Sequence, residues 1–547
     1  MTEDVNKQPN SVRAGSSSPT RRWLSAATVC SGLFLLGMDL TILNVAVPDL
    51  RNALGSSMGQ TQWIVDAYAL VLGGTVLTSG SLTDRIGRRR AFTLGLAVCG
   101  LASLAGALAA TPQQVIAARA GMGAGASLLM PATLSLISAL FPEEALRNRA
   151  IALWAAVGGL GGACGPVLGG WLVSEYSWRA VFWLNVPFAA AVITLTVLVI
   201  PACRARIRSR IDVPGTVCSA LGLLVLVWSV IEAPTRGWSS PAVLAGFATA
   251  GLLLAAFVVW LRRAPTRMIA RTALRRPVAV AAGALAMMSF GMFGALFVIS
   301  LYLQGVMGCD PWQAGVRTLP LPGALIAGAG LAAALAGRWS QKSVMLLGLA
   351  LVAFSFAVLG STGTSSGYGH LVAVQVIAGT GAGLTAAAGT GFVMALMTEE
   401  HAGLGSAIND ATRQVGATLG VAIQGSVLAT AYTHRMTEEV HRLGTPHLSG
   451  PAVDNVIAAA QAGRNLPPEI RSRLLGIAED AFVMGMSRAA WVAGVVAVAA
   501  LLAVWRWLPP GANETSGRRQ PPARAIALTP RAVAAAVPSP AAQPPMD

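Results

Sequence analysis

The sequence predicts an all-α integral membrane protein of fourteen transmembrane helices. Three observations carry that prediction. Of 547 residues, 54% are hydrophobic and only 11% charged, with a mean hydropathy of +0.63; a soluble domain carries about 25% charged residues. The apolar residues gather into runs near the length that crosses about 30 Å of hydrocarbon. Short arginine-rich connections separate those runs, which is the pattern of cytoplasmic membrane loops. The net charge of +16 is therefore loop charge rather than a nucleic-acid surface. The same composition excludes a soluble enzyme and a disordered chain.

In chain order the spans are 23–48, 62–82, 91–110, 113–136, 150–173, 180–201, 213–232, 241–261, 278–304, 313–336, 343–361, 367–397, 403–430 and 481–508. Residues 343–398 carry no charge and are too long for one span; the polar stretch GSTGTSSGYG supplies the turn between two. An even count puts both termini on one side. The arginine clusters within 85–90, 204–210 and 262–276 put that side in the cytoplasm. Residues 1–22 and 509–547 read as disordered cytoplasmic tails, with no cleaved signal peptide expected. Between them lie an N-terminal six-helix bundle (23–205), an inserted two-helix linker (206–265) and a C-terminal six-helix bundle (266–508) with a long outer segment at 431–480. Within that segment PPEIRSRLLGIAED reads as an amphipathic surface helix. Arg119-x-x-x-Gly123-x-Gly125 in span four recurs as Gln375-x-x-x-Gly379-x-Gly381 in span twelve, a weak internal repeat of the parallel kind found in transporters. Lysine is nearly absent, with only Lys7 and Lys342, a bias that suggests a GC-rich bacterial genome.

The connection after span two reads Gly80-Ser-Leu-Thr-Asp84-Arg85-Ile-Gly87-Arg88-Arg89-Arg90. Its glycines permit a tight turn, and Asp84 can pair with arginines or cap a helix. The plain alternative is an ordinary basic loop, but this spacing is more specific than a basic run. Span five carries Gly158, Gly161, Gly162, Gly165, Gly169 and Gly170 around Pro166. Gly158, Gly162, Gly165 and Gly169 share one narrow helical face that can admit another backbone. Pro166 removes a helical hydrogen bond and favours a kink. Static packing and a hinge both fit.

Asp39 in span one, Asp66 near the outer end of span two and Arg119 in span four are ionisable residues inside apolar runs. A charge at mid-bilayer costs roughly 2.5–3.5 kcal/mol, so each should pair or line a wet cavity. Moving an arginine away from a carboxylate would switch the latter between proton-free and proton-bound; a structural ion pair is the alternative. Span thirteen adds Asn409, Asp410 and Arg413, of which the last two are spaced for an intrahelical pair or face a cavity. The six cysteines occur singly and read as small buried hydrophobes. No phosphate-binding loop, metal-ligand spacing or G-x-S-x-G occurs, so the sequence predicts no ATP, metal, cofactor or enzyme chemistry.

Together these motifs resemble the fourteen-span drug:proton antiporters of the major facilitator superfamily over about residues 23–508. Asp39–Pro48 is similar to the family's first-span motif, Gly80–Arg90 to its motif between spans two and three, and Arg119–Ala126 to its span-four motif, with Met122 where the family often has Gln. Gly161–Gly170 is similar to the span-five antiporter motif, Ser177–Pro187 to the stretch after it, and Ser406–Gly416 to the span-thirteen segment. The resemblance implies the family fold, two six-helix bundles plus two inserted helices. It implies proton coupling at Asp39 and Arg119, with Asp66 a further candidate on its own position. It implies that Asp84 with Arg85, Arg88 and Arg89 holds the halves together in one conformation and releases them in the other, and that the span-five motif marks export.

The expected activity is proton-driven export of amphipathic toxic compounds or antibiotics across a bacterial cytoplasmic membrane by a monomer, with no nucleic-acid partner. Candidate substrate contacts are Phe34, Trp63, Tyr68, Met130, Phe290, Phe293, Phe297 and Tyr302, with Asn409, Asp410 and Arg413. An exporter of an endogenous metabolite or lipid precursor, and a non-transporting membrane sensor, are the alternatives.

Overall fold

The computed structural model describes residues 19–509 apart from Pro142, 202–211, 264–275, 336–337, 397–401 and 443–466, within which only Val456 and Ala459 are described. Residues 1–18 and 510–547 of the tails, the arginines at 204–210 and 267–275, and the centre of the expected outer segment lie outside the described residues, whereas Pro19–Arg22, expected in the disordered N-terminal tail, form the first turn of α1.

The described chain forms α1 (Pro19–Leu54), α2 (Met58–Ile86), α3 (Arg88–Ala107), α4 (Pro112–Leu140), α5 (Glu144–Glu175), α6 (Trp178–Val199), α7 (Val213–Arg236), α8 (Pro241–Arg263) and α9 (Arg276–Gly305). It continues as α10 (Pro311–Arg317), α11 (Pro320–Leu335), α12 (Gln341–Gly360), α13 (Tyr368–Ala395), α14 (Ala402–Arg442) and α15 (Pro468–Trp507). Several starts are written locally. Ser57 with Gln60, and Thr111 with Gln114, form capping boxes on α2 and α4. Gly87, at φ +93°, ends α2 and starts α3 at once, a conformation that L side chains rarely adopt.

Thirteen stretches among the described residues are long and apolar enough to cross a membrane. That count joins α10 to α11 and leaves out α2, which carries Leu77, Ser81 and Asp84, whose side chains lie outside the described residues. At 29 residues α2 is long enough to span and packs in the same array, so each of the fourteen expected spans coincides with a helix. The tenth is broken, because Asp310 caps a short α10 that ends at Thr318 before Pro320 restarts the chain as α11.

The expected separate surface helix at 467–480 is instead the first part of α15, continuous with the last span over 40 residues. At 1.5 Å per residue that is about 60 Å, twice the hydrocarbon thickness. The 41-residue α14 matches it. Tyr432, Met436 and Val440 of α14 join Leu474, Ala478 and Phe482 of α15 in one buried cluster. Burying that apolar face is what keeps the helices going beyond the span.

Packing follows one scheme used twice. In the first half α1 packs on α5, α2 on α4, α3 on α4 and α6. In the second, α9 packs on α14, α11 on α13, α12 on α13 and α15. The pair α7–α8 sits outside both sets, with α7 lying against α2 and α14. Leu70, Val227, Val230, Ile231 and Ala422 fill that three-helix seam. The halves meet where α2 faces α14, α5 faces α10, and α1 faces α9.

Candidate functional site

The first half encloses a polar cluster in an otherwise apolar core. Asp39, 2% exposed, and Arg119, 3% exposed, lie on α1 and α4. Asn185 of α6 donates from Nδ2 to Asp39 Oδ1 at 2.8 Å and to Ser103 Oγ at 3.1 Å. Ser103 donates onward to the Phe182 carbonyl at 2.8 Å. The amide is thus fixed from α3 and from its own helix. Arg119 does not form a direct ion pair with the Asp39 carboxylate. Its Nη2 donates to the Asp39 backbone carbonyl at 3.3 Å and its Nε to the Ile64 carbonyl at 3.2 Å. Its guanidinium lies 4.5 Å from the centre of the Tyr68 ring, a cation–π contact that substitutes for some lost hydration.

Small residues let the helices come this close. A Cβ at Gly123 would meet the Tyr68 carbonyl, and one at Gly125 would lie 2.7 Å from the Cys99 nitrogen. Arginine's fork is what spans two carbonyls on different helices. We expect Arg119→Lys to keep the charge but lose one of these bonds, lowering transport about tenfold, since hydrogen bonds to charged groups contribute roughly 1.5–3 kcal/mol. Flux measured per folded transporter in vesicles checks this, and wild-type flux would show that the fork is dispensable.

The second half repeats the geometry without the charge. Gln375 of α13 donates to the Arg317 carbonyl at 3.0 Å, as Arg119 does to that of Ile64. A Cβ at Gly379 would meet the Leu321 carbonyl, as one at Gly123 would meet that of Tyr68. In each half the two carbonyls are four residues apart. The weak repeat seen in the sequence is therefore a repeat of contacts.

Asp66 does not join the Asp39 cluster. Ile64 and Tyr68 turn towards α4, whereas Gln62 and Gly73 contact α14, and Asp66 shares the second face. It is 1% exposed and its Oδ2 has no hydrogen-bond partner.

The glycines of α5 lie against α1. A Cβ at Gly161 would meet the Phe34 carbonyl, one at Gly165 Thr41 and Ile42, and one at Gly169 the Ile42 carbonyl. Because Pro166 has no N–H, the Gly162 carbonyl lacks its helical donor, and Thr41 Oγ1 donates to it at 2.9 Å. Gly170 turns the other way, onto the Pro311 carbonyl of α10, while the Pro166 carbonyl meets Gly315. This motif therefore touches both halves.

Arg88 and Arg89 of the basic connection bond within the first half. Arg88 donates to the Ser135 carbonyl of α4 at 3.0 Å, and Arg89 to the Val197 carbonyl in the last turn of α6 at 2.9 Å. Cations at helix C-terminal carbonyls are favourable. Arg85 is exposed, a Cβ at Gly80 would reach Pro131 among the described residues, and the Asp84 side chain lies outside them. On the opening turn of α5, Arg22 of α1 pairs with Glu143 at 3.0 Å. A backbone hydrogen bond at Glu143, and that arginine, hold its carboxyl below the usual range.

The expected substrate contacts scatter. Tyr68 and Tyr302 are fully buried, Tyr68 beneath Arg119 and Tyr302 with its hydroxyl on the Gly363 carbonyl at 3.1 Å. Phe34 stacks on Phe188 at 6.1 Å between ring centres. Met130 and Phe293 are half-buried against the two cores. Asn409 accepts from Thr390 at 3.1 Å, and Asp410 and Arg413 are half-buried on α14. Asn185, Ser103 and Tyr68 complete the Asp39–Arg119 cluster. Of these the sequence marks Tyr68, as a candidate substrate contact, and Asn185 only as part of the stretch Ser177–Pro187; nothing marks Ser103.

Residues 29–421 match the Major Facilitator Superfamily. The chain belongs to that superfamily. Within it the chain is similar to the tetracenomycin C resistance and export protein of Streptomyces glaucescens, 30% identical over 91% of this chain and 94% of that one. It is also similar to the multidrug efflux pump LfrA of Mycolicibacterium smegmatis, 31% identical over 92% and 99%. Among solved structures, a bacterial homologue of the human lysosomal transporter Spinster, inward-facing and unoccupied, superposes with a TM-score of 0.62 at 16% identity, over 90% of this chain and 98% of that one. That likeness concerns the fold. The major facilitator arrangement explains the doubled packing scheme and the position of the Asp39–Arg119 cluster inside one bundle.

Proposed function

We propose that this protein is a proton-driven exporter of amphipathic toxic compounds or antibiotics in a bacterial cytoplasmic membrane, with both termini cytoplasmic. Relatives over nearly the whole chain are named as resistance, export and efflux proteins, which supports efflux. The observation that carries proton coupling is the state of Asp39. Its carboxylate is buried and takes one neutral hydrogen bond from Asn185, while the nearest guanidinium is tied to backbone carbonyls. A carboxylate so placed is open to a proton, and a small shift of α4 against α1 changes how strongly Arg119 opposes it.

Asp66, on the face of α2 towards the other half, is a second proton carrier in this reading. The two halves rock about the seams α2/α14 and α5/α10. With the termini inside, the contacts of α1 and α5 with α9 and α10 close the outer mouth in this conformation.

In vesicles holding the purified protein, an imposed pH gradient should drive a lipophilic cationic dye against its concentration gradient, and collapsing the gradient should stop it. Dye movement indifferent to the pH gradient would refute proton coupling. Resistance to a single compound, rather than to chemically unrelated ones, would favour an exporter of one endogenous metabolite.

A further inference from the structure

We propose that Pro48 of α1 creates, and Ser300 and Gln304 of α9 occupy, a latch between the two halves that sets how readily the outer mouth opens. A proline at helix position i has no N–H, so the carbonyl at i−4 loses its helical donor. For Pro48 that carbonyl belongs to Asn44. Ser300 Oγ, in the other half, donates to it at 2.9 Å. Gln304, one turn further along α9, donates from Nε2 to the next carbonyl, that of Val45, at 3.1 Å. Ser300 is 1% exposed and Gln304 Nε2 lies 3.5 Å from its hydroxyl, so the two donors act as one clamp on one turn of α1.

The logic recurs inside a single half, where Pro166 releases the Gly162 carbonyl to Thr41. At Pro48 the released acceptor crosses the divide instead. A buried carbonyl without a donor is costly, so the latch has two satisfied states. In one, Ser300 supplies the hydrogen bond; in the other, water entering the open mouth supplies it. An α1 with an N–H at position 48 would give the Asn44 carbonyl an internal donor, so that the Ser300 hydrogen bond would be dispensable rather than required. The latched turn begins five residues beyond Asp39 on the same helix, so a shift of α1 on proton binding acts directly on these bonds. The assignment rests on the reading of two rocking halves.

Spin labels at Asn52 and Gln313, both exposed near the closed mouth, measure its width in vesicles. The background replaces the six native cysteines and retains export. Ser300→Ala and Gln304→Ala should each shift the closed-to-open ratio about two- to tenfold towards open, the size of one net hydrogen bond. Pro48→Ala should shift it in the same direction, and adding Ser300→Ala to Pro48→Ala should move it little further. Ser300→Thr, which keeps the hydroxyl, should restore the narrow population.

Additive effects of Pro48→Ala and Ser300→Ala would overturn the latch. So would an unchanged distance distribution in Ser300→Ala and Gln304→Ala proteins that purify folded. The distances are read without any transported compound. A failure of gradient-driven export therefore refutes the proposed coupling, and a failure of the distance shift refutes the latch.

Discussion

Asp39→Asn protein is expected to insert and fold normally and to move no substrate against a concentration gradient when a pH gradient is applied. Asparagine keeps the shape of the side chain, and its carbonyl can still accept the Asn185 amide that now reaches Asp39 Oδ1. Arg119 holds the backbone carbonyl of residue 39 rather than its side chain, so the arginine keeps its anchor too. What is lost is the ability to bind and release a proton. The check is a vesicle assay in which proton counterflow and uptake are recorded together. Both should fall to the level of empty vesicles, while dye binding persists. Export at the wild-type rate would remove Asp39 from the mechanism.

Gly161→Leu should damage both stability and transport, through a different cause. A Cβ at Gly161 would meet the Phe34 carbonyl oxygen and lie 3.0 Å from its carbon and 3.1 Å from its Cα. All three are main-chain atoms of the adjoining helix, and none can rotate aside. Overpacking a tight interior costs about 1–3 kcal/mol, and here the strain falls on α1, which also carries Asp39 and the Pro48 turn. Two neighbouring substitutions separate this from a general effect of adding bulk. Gly159→Leu introduces the same side chain where a Cβ would meet nothing within 4 Å among the described residues and should be silent. Gly165→Leu drives its side chain at Thr41 and Ile42 and should resemble Gly161→Leu. Thermal unfolding in detergent and export in cells are the two readouts. A Gly161→Leu protein with the wild-type midpoint and turnover would show that the α1–α5 contact yields.

The fold was largely legible because a bilayer imposes a length on each apolar run and a sign on each connection. The ends of the last two long helices were not. Whether 468–480 lies as a separate piece or continues the span depends on Tyr432, Met436 and Val440 offering it an apolar partner, and no local pattern announces that partner. The site was legible in its charges. Asp39 and Arg119 stand out because each is alone in an apolar run, and the glycines of α5 because their spacing makes a face. Their partners were hidden for a definite reason. Arg119 grips main-chain oxygens, and Ser300 grips another; every residue has such an atom, so sequence carries no mark of which one is used. Pro48 and Pro166 come nearest to a mark, since each fixes which carbonyl is left over. The donor that takes it, 256 residues away for Asn44, emerges only from the folded pairing of α1 with α9.

The correspondence of Arg119 with Gln375 has a consequence for how such a molecule diversifies. Two leaves cut from one pattern share the frame, but the buried guanidinium is mounted in only one of them. The leaf built from α1 to α6 has to satisfy an ion at every step of its evolution, so little there can drift. The other leaf, built from α9 to α15, shelters an amide at the matching place, so substitutions around Gln375 should be tolerated more readily than those around Arg119.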